Sequence, residues 1–338
     1  MDSYMKKMVA VFVLSIVAVI TAESIRYLAA IDSREQLMVV HDADPGADDA
    51  MAMLMLLSGK SRAQLIAVTC VTGNTGVTNG TQNAWLTLEV ANRTEIPVHR
   101  GAAHGLVSDI RSDNYFGYDG LGDAMPKPLE ALVAERHAAA ALVDIVKTHP
   151  GKVSVLCTGP LTNIALAIHL YPKFLEEIKE MVVFGGSYRG GGNKKPGAEF
   201  NIVFDPEAAA LVFSKAPQDK LIKLVPLETV ESNSLPLDWR LNALGGLDSN
   251  WIRFLNLAEG KTFPKISKWS PFDQTAAAIL LDPKIATAWT DTKIYVETCG
   301  EHGRGAVFVD YQSTTSNVRI ITDVNIDLIK NMLLSYLA

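Results

Sequence analysis

The sequence has little cysteine and no concentration of basic residues, and both absences exclude classes of protein. Only three of its 338 residues are cysteines (Cys70, Cys157 and Cys299), and none lies in a CxxC pair. This excludes a disulfide framework, and the odd count leaves at least one free thiol. Lys and Arg number 31 against 37 Asp and Glu, which gives a formal net charge of -6 without any Lys/Arg-rich stripe. We therefore expect no nucleic-acid partner.

The N-terminal apolar run is too short to span a bilayer comfortably. This run, MVAVFVLSIVAVI at 8–20, has thirteen apolar or small residues, whereas a spanning helix needs about 20. Two lysines precede it and small residues follow, which is the pattern of a secretory signal peptide. We predict a signal peptide over 1–22 and a secreted, extracellular domain over 23–338 that has no membrane contact after cleavage. A buried first strand and a signal anchor are the alternatives. Sequons at Asn79 and Asn92 fit a secreted route.

Short apolar runs alternate with helical patterns through most of the chain. Examples are QLMVVHD followed by DDAMAMLMLLSG, and KVSVLCTG followed by LTNIALAIHLY. Continuous Val, Ile and Leu in the strands indicates strands that are buried on both faces. We predict an α/β fold with a mostly parallel, Rossmann-like open sheet flanked by helices. No linker divides the chain, so we expect a single large domain with a helical C-terminal portion near the active site.

Four aspartates lie within eight positions where the first predicted strand turns into a helix. They are Asp42, Asp44, Asp48 and Asp49. The helix dipole favours anions only modestly, so either the pKa values of these groups rise or a hard cation binds. Carboxylates without nearby His or Cys ligands favour Ca²⁺ or Mg²⁺. One alternative is an N-capping aspartate with solvated neighbours. Another is a phosphoaspartate transferase, although Gly46 replaces the Thr or Val usual in that motif.

The aspartate-rich stretch resembles the N-terminal motif of the inosine–uridine-preferring nucleoside hydrolase family. Further motifs of that family follow in order. They are VTGN at 71–74, DGLGD at 119–123, GPLTNIA at 159–165, FGGS at 184–187, AEFNIVFDPEAA at 198–209 and PFDQTAAA at 271–278. The resemblance covers nearly the whole chain from about residue 37, and the family's fold agrees with the predicted α/β fold.

The resemblance implies a set of calcium ligands and a set of ribose-binding residues. The ligands would be Asp44, Asp49, the backbone carbonyl of Thr162 and Asp273, with Asp42 behind them or in weak contact. Asp44 would also activate a metal-bound water as general base. The ribose hydroxyls would be held by Asp48, Asn74, Glu199 and Asn201. The last two are expected on an extended segment, where side chains two residues apart point the same way.

The sequence departs from the family pattern at the base. Many members have a histidine before the final aspartate of the PFDQ motif, and here Phe272 stands there. His41, beside the aspartates, is expected in the core rather than as an acid. The departure resembles the purine-specific branch of the family, in which aromatic rings sandwich the base. The candidate base-binding residues are Phe272, Phe116, Tyr115, Tyr118, Trp251 and Trp269.

The resemblance implies a secreted, Ca²⁺-dependent purine nucleosidase that releases base and ribose from inosine, guanosine or adenosine. Its alternatives are a broad or pyrimidine-accepting hydrolase and a non-catalytic nucleoside-binding protein. Family relatives are commonly dimers or tetramers, so we expect a homo-oligomer. The glycine-rich loop at 187–198 is either a mobile flap over the sugar or an ordinary surface loop.

Overall fold

The computed structural model describes residues 36–107, 110–125 and 133–338. The predicted signal peptide at 1–22 lies outside these residues. Within them, Leu37–Ala338 forms one compact unit. No helix in the described ranges is long and apolar enough to cross a membrane. Cys70 and Cys157 are buried free thiols and Cys299 is an exposed one, as the spacing predicted.

A ten-stranded sheet forms the centre of the domain, with strand order β11-β10-β12-β7-β6-β5-β1-β2-β3-β4. Its strands are β1 (Leu37–Ala43), β2 (Ala63–Cys70), β3 (Val98–Arg100), β4 (Val133–Ala134), β5 (Val153–Cys157), β6 (Glu180–Phe184), β7 (Ile222–Val225), β10 (Ala286–Val296), β11 (Val307–Asp310) and β12 (Val318–Val324). Strands β12 to β4 in this order pair in parallel, and β10 runs antiparallel to both of its neighbours. A separate antiparallel pair joins β8 (Leu235–Pro236) to β9 (Lys268–Trp269). The mostly parallel sheet confirms the predicted fold class.

Helices connect the strands and cover both faces of the sheet. They are α1 (Ala47–Leu57), α2 (Val77–Val90), α3 (Ala138–Thr148), α4 (Thr162–Leu170), α5 (Phe174–Glu177), α6 (Phe200–Phe204), α7 (Pro206–Ser214), α8 (Leu227–Ser232), α9 (Asn250–Ala258), α10 (Phe272–Leu281) and α11 (Ile326–Tyr336). A π-helical segment (Trp239–Leu244) and two short 3-10 helices (Phe263–Lys265 and Pro283–Ile285) interrupt the later part of the chain.

Alternation along the strands divides the buried side chains into two cores. In β1, Val39 contributes to one hydrophobic cluster and Val40 to the other, because successive strand side chains point to opposite faces. Helix α1 is buried on nearly every side, since it packs against the sheet and against α10. This explains why its sequence is apolar all round after the first turn.

Four neighbouring strands bring the sequence motifs to one edge of the sheet. Strands β6, β5, β1 and β2 are adjacent and parallel, so their carboxyl ends meet on the same side. The aspartate-rich loop follows β1, VTGN follows β2, the loop before α4 follows β5 and FGGS ends β6. Open α/β sheets bind ligands in this position.

Candidate active site

Asp42 lies in β1, and its carboxylate is held by side chains from β2 and from the first turn of α4. Its Oδ1 accepts hydrogen bonds from the Thr69 hydroxyl (2.5 Å) and from Asn163 Nδ2 (2.9 Å). Its Oδ2 is buried without a hydrogen-bond partner. Burial raises the pKa of this carboxyl to about 7. The hydrogen bonds to Thr69 and Asn163 fix one oxygen and leave the other unpaired.

Asp44 follows β1 and is enclosed by backbone. Its Oδ2 accepts the Asn74 backbone N–H at 2.6 Å, and its Oδ1 is buried without a partner. A Cβ at Gly73 would lie 2.0 Å from Asp44 Oδ2, and one at Gly159 would lie 2.8 Å from Asp44 Oδ1. Glycine is therefore required at both positions if the chain is to pass this close to the carboxylate. Burial, and then the charge of Asp49, raise the pKa of Asp44 well above its ordinary value.

Asp49 lies in the first turn of α1 and links three segments of chain. Its Oδ2 accepts the Gly46 backbone N–H (2.9 Å) and Asn74 Nδ2 (3.2 Å). Its Oδ1 accepts the hydroxyl of Thr158 at 2.6 Å. Burial raises the pKa of Asp49 to about 6. These contacts bring the ends of β2 and β5 together at the N-terminus of α1.

Asp273, in the first turn of α10, completes the acidic cluster. One carboxylate oxygen from each of Asp48, Asp49 and Asp273 lies within 4.8 Å of the others. Burial and the neighbouring carboxylates raise the pKa values of Asp48 and Asp273 well above normal. Asp273 Oδ2 is also buried without a partner. A set of oxygen donors with unpaired oxygens and mutual repulsion fits a hard cation.

Thr158, which the sequence analysis did not select, contacts the acidic cluster where Thr162 was expected. The Thr162 hydroxyl donates to Asp205 at 2.7 Å at the start of α4. Thr158 instead donates to Asp49, and its hydroxyl lies 2.8 Å from His41 Nε2. Thr158 immediately follows β5, and its position at that strand end was the signal that could have identified it. His41 is fully buried, and burial lowers its pKa to about 3, so the ring is neutral.

The four predicted ribose-binding residues line one cavity of about 260 Å³, which we call the nucleoside cavity. They are Asp48, Asn74, Glu199 and Asn201. The expectation of an extended segment for the last two was wrong, because Glu199 caps α6 and Asn201 lies in its first turn. The cap forms because Glu199 accepts backbone N–H groups from Asn201 and Ile202. Burial still raises the pKa of Glu199 to about 7.

Aromatic side chains line the same cavity. Tyr115, Phe116 and Phe272 do so as predicted, and Phe184 and Phe200 were not foreseen. The Phe184 and Phe272 ring centroids lie 5.7 Å apart, and Tyr115 meets Phe116 edge-on at 4.8 Å. The cavity therefore joins an acidic and amide-bearing side to an aromatic side.

The other three predicted base-binding residues do not line the nucleoside cavity. Tyr118 is 75% exposed and lines a different cleft. Trp251, on α9, packs against the hydrophobic core and borders a depression formed with the C-terminal residues. Trp269 lies in a second, adjoining cavity of about 180 Å³, where its Nε1 donates to Glu259 at 2.7 Å. Sequence position alone could not show which ring the fold turns toward the aspartates.

The glycine-rich loop at 187–198 borders the nucleoside cavity. Asn193 lines the cavity, and Lys194 forms an ion pair with Asp113 at 3.0 Å. Asp113 lines the cavity too, so this pair joins two segments of its rim. The Ser187 hydroxyl donates to Glu228 at 2.6 Å, which ties the start of the loop to α8.

Comparison with known proteins agrees with this arrangement. A family model for the inosine-uridine preferring nucleoside hydrolases matches residues 39–331. The inosine-uridine preferring nucleoside hydrolase of Crithidia fasciculata is 33% identical over 285 residues, 81% of this chain and 88% of that protein. A pyrimidine-specific ribonucleoside hydrolase of Enterobacter sp. is 35% identical over 288 residues, 83% of this chain and 90% of that protein. The solved structure of an inosine-guanosine nucleoside hydrolase superposes with a TM-score of 0.82 at 26% identity, covering 89% of this chain and 98% of that one. The chain therefore belongs to the inosine-uridine preferring nucleoside hydrolase family.

Proposed function

We propose that this protein hydrolyses the N-glycosidic bond of purine ribonucleosides, namely inosine, guanosine and adenosine, to free base and ribose. The observation that carries the proposal is the two-sided nucleoside cavity. Carboxylates and amides suited to sugar hydroxyls form one side, and five aromatic rings suited to a flat base form the other. A ribonucleoside has the same division between a polar diol and a planar ring.

The acidic cluster is the proposed calcium site. Asp44, Asp49 and Asp273 would hold the ion, with Thr158 as the neighbouring oxygen donor in place of Thr162. The buried and unpaired Asp44 Oδ1 and Asp273 Oδ2 support this assignment. Asp42 lies behind them, tied to Thr69 and Asn163. When bound, Ca²⁺ supplies positive charge that keeps the carboxylates ionised and lowers the pKa of a water molecule.

Asp44 is the proposed general base. The Asn74 backbone N–H anchors one of its oxygens, which leaves Oδ1 to accept a proton from water. The water oxygen bonds to the anomeric carbon as the glycosidic bond breaks, and the base leaves with the electron pair. The sugar becomes oxocarbenium-like in such a reaction, and the surrounding carboxylates stabilise that charge. Asp48, Asn74, Glu199 and Asn201 would hold the ribose hydroxyls in place for the attack.

The aromatic side of the cavity is proposed to favour a purine. No histidine lines either cavity within the described residues, so the leaving purine would take its proton at N7 from solvent water, and the rings would stabilise the protonated base. A purine that is being protonated at N7 would be stabilised by ~1–2 kcal/mol when it lies over an aromatic face. A pyrimidine has no N7 and offers less ring to stack. Burial raises the pKa of Tyr115 to about 12, so its phenol stays neutral beside the base.

Pyrimidine hydrolysis is the principal rival, because several relatives carry pyrimidine names. One is the pyrimidine-specific enzyme described above. A probable uridine nucleosidase of rice is 43% identical over 184 residues, 54% of this chain and 56% of that protein. Non-catalytic nucleoside binding is the second rival, and the full set of acidic residues in the cluster argues against it.

A reducing-sugar assay with inosine, guanosine, adenosine and uridine tests these readings. We expect ribose release from the purine nucleosides, its loss with a chelator, and its return with added calcium. Equal release from uridine would contradict the stacking account while keeping the hydrolase. Binding of inosine without release of base would favour the binding protein instead.

Secretion and self-association belong to the same proposal. We propose that residues 1–22 direct the protein into the secretory route and that the mature chain forms a dimer or tetramer. Expression in a secreting eukaryotic cell, followed by N-terminal sequencing of protein from the medium, tests the first point. Light scattering on that material tests the second, and a monomer would contradict it.

A further inference from the structure

The second cavity opens beside the nucleoside cavity and shares part of its wall. Asp48, Tyr115, Phe116 and Phe272 line both. A ligand seated against these four residues would therefore border both cavities.

Several polar side chains on the wall of the second cavity already have hydrogen-bond partners. Glu259 accepts Trp269 Nε1 on Oε1 (2.7 Å) and Arg240 Nε on Oε2 (2.8 Å). The Thr262 hydroxyl donates to the Tyr115 carbonyl at 3.4 Å, and the Ser270 hydroxyl lies 2.7 Å from that of Ser234. These contacts leave little capacity for a ligand at those positions.

Gln274 is different. It is only 1% exposed, and its Oε1 is buried without a hydrogen-bond partner. Its Nε2 makes a long hydrogen bond to the Asp48 carbonyl at 3.4 Å. An amide turned the other way would set two oxygens against each other, so this contact fixes Oε1 as the free acceptor. A buried acceptor without a partner is destabilising unless a ligand or water satisfies it.

We propose that the second cavity receives the far edge of the nucleobase and that Gln274 is a specificity-determining residue. Its Oε1 accepts a hydrogen bond from an N–H on the six-membered ring or its exocyclic amine. The inference rests on the proposed function, because it needs a nucleoside in the first cavity. It adds that the pocket selects for a hydrogen-bond donor as well as for ring size.

Purine nucleosides differ in whether their six-membered ring carries such a hydrogen-bond donor. Inosine and guanosine carry an N1–H, and adenosine carries an exocyclic amine. Purine riboside has the same bicyclic ring without any N–H on the six-membered ring. When purine riboside binds, Gln274 Oε1 stays unpaired, and a site built to hydrogen-bond a donor discriminates strongly against an analogue without one.

The test compares kcat/KM for inosine and purine riboside in the full-length enzyme and in Gln274→Met. Methionine keeps a similar length and removes the amide. We expect the inosine-to-purine-riboside ratio to fall by at least about tenfold in Gln274→Met. Because both substrates are measured on one preparation, the ratio does not depend on the fraction of correctly folded enzyme. Gln312→Met, at an exposed glutamine after β11, is the matched control and should leave the ratio unchanged.

The outcomes separate this inference from the function on which it rests. If the unaltered enzyme releases no base from any nucleoside, the proposed function fails. If it hydrolyses inosine and Gln274→Met leaves the ratio unchanged, or slows both substrates equally, only the role of Gln274 is overturned. Should the variant turn over too slowly, calorimetric affinities for hypoxanthine and for purine give the corresponding ratio without catalysis. An unchanged affinity ratio there also overturns the inference.

Discussion

The two sides of the nucleoside cavity that are proposed to bind the sugar and the base, here called the sugar side and the base side, are built in different ways. On the sugar side, directional hydrogen bonds hold carboxylates in place, as the Asn74 N–H does for Asp44 and the Thr158 hydroxyl for Asp49. Gly73 and Gly159 lie so close to Asp44 that a side chain at either position would meet its carboxylate. On the base side, rings such as Phe116 and Phe272 are held by packing, which specifies shape less strictly than hydrogen bonds do.

We therefore expect the sugar side to govern the reaction and the base side to govern which nucleosides are accepted. The proposed reaction depends on where the carboxylates lie, because small displacements of a general base are costly in rate. Apolar walls can exchange one ring for another at modest cost. The base side is therefore where relatives with purine and with pyrimidine names can differ while sharing one fold. Gln274 would be an exception, because it would make a directional hydrogen bond on the base side.

Replacing Asp44 should have the largest effect on activity, since it removes the proposed general base from the sugar side of the cavity. We expect Asp44→Asn to lower kcat for inosine by at least about a thousandfold, within the range for losing a general base that also helps to hold a cation. Calcium retention, measured by equilibrium dialysis, should weaken as well. Asp248→Asn, at a side chain that is 97% exposed, is the control. Near-normal turnover in Asp44→Asn would remove Asp44 from the mechanism.

Removing the metal should inactivate the enzyme almost as completely, but reversibly. A chelator leaves the cluster with several buried carboxylates and no counter-charge, so ribose release should stop. Added calcium should restore at least most of the activity, with magnesium tested in parallel. Activity that is indifferent to the chelator, with metal content confirmed to be low, would exclude a metal from the reaction.

Removing an aromatic ring from the base side should have a smaller effect on activity. We expect Phe272→Ala to lower kcat/KM for inosine by about tenfold, or ~1.4 kcal/mol in the barrier, and to lower that for uridine less. Phe308→Ala, at a 54% exposed ring on β11, is the matched control. An unchanged rate on inosine would mean that stacking on this ring does not assist loss of the base.

Local patterns predicted the mostly parallel sheet and placed the aspartate-rich loop at the end of its first strand. Runs such as QLMVVHD specify buried parallel strands, and the carboxyl ends of such strands gather at one edge of the sheet. The aspartates of the first loop and Asp273, more than two hundred residues later, needed the family resemblance to be connected. The structure places one carboxylate oxygen from each of Asp48, Asp49 and Asp273 within 4.8 Å of the others.

Side chains that reach the site through packing were harder to predict. Phe184 ends a strand that reads as ordinary core, yet its ring lines the cavity. Tyr118 lies two residues from Phe116, yet it faces solvent, because the chain turns through a positive φ of 94° at Gly117. Thr158 and Thr162 differ only in which side of the β5–α4 turn they occupy. These outcomes depend on tertiary contacts that no short sequence pattern contains.

The smallest predicted effect concerns the free energy of unfolding of the metal-free protein, and its sign follows from the buried carboxylates on the sugar side. Burial raises the pKa values of Asp42 to about 7 and Asp49 to about 6 from an ordinary 3.8. The metal-free folded protein therefore binds these protons more tightly than the unfolded chain does. Its free energy of unfolding should fall as the pH rises from about 4 through about 7. Bound calcium opposes this loss, because it favours the deprotonated carboxylates.

The difference in Tm between calcium-loaded and chelated protein should consequently widen by several degrees between about pH 5 and about pH 8. Differential scanning calorimetry on both forms measures it, and taking the difference removes the titration of groups remote from the cluster. Asp49→Asn lowers the charge of the cluster and should narrow the gap. A gap that stayed constant across this range would mean that the buried carboxylates do not repel one another as their burial indicates. The sugar side would then respond to pH no differently from the base side, which has no comparable cluster of charge.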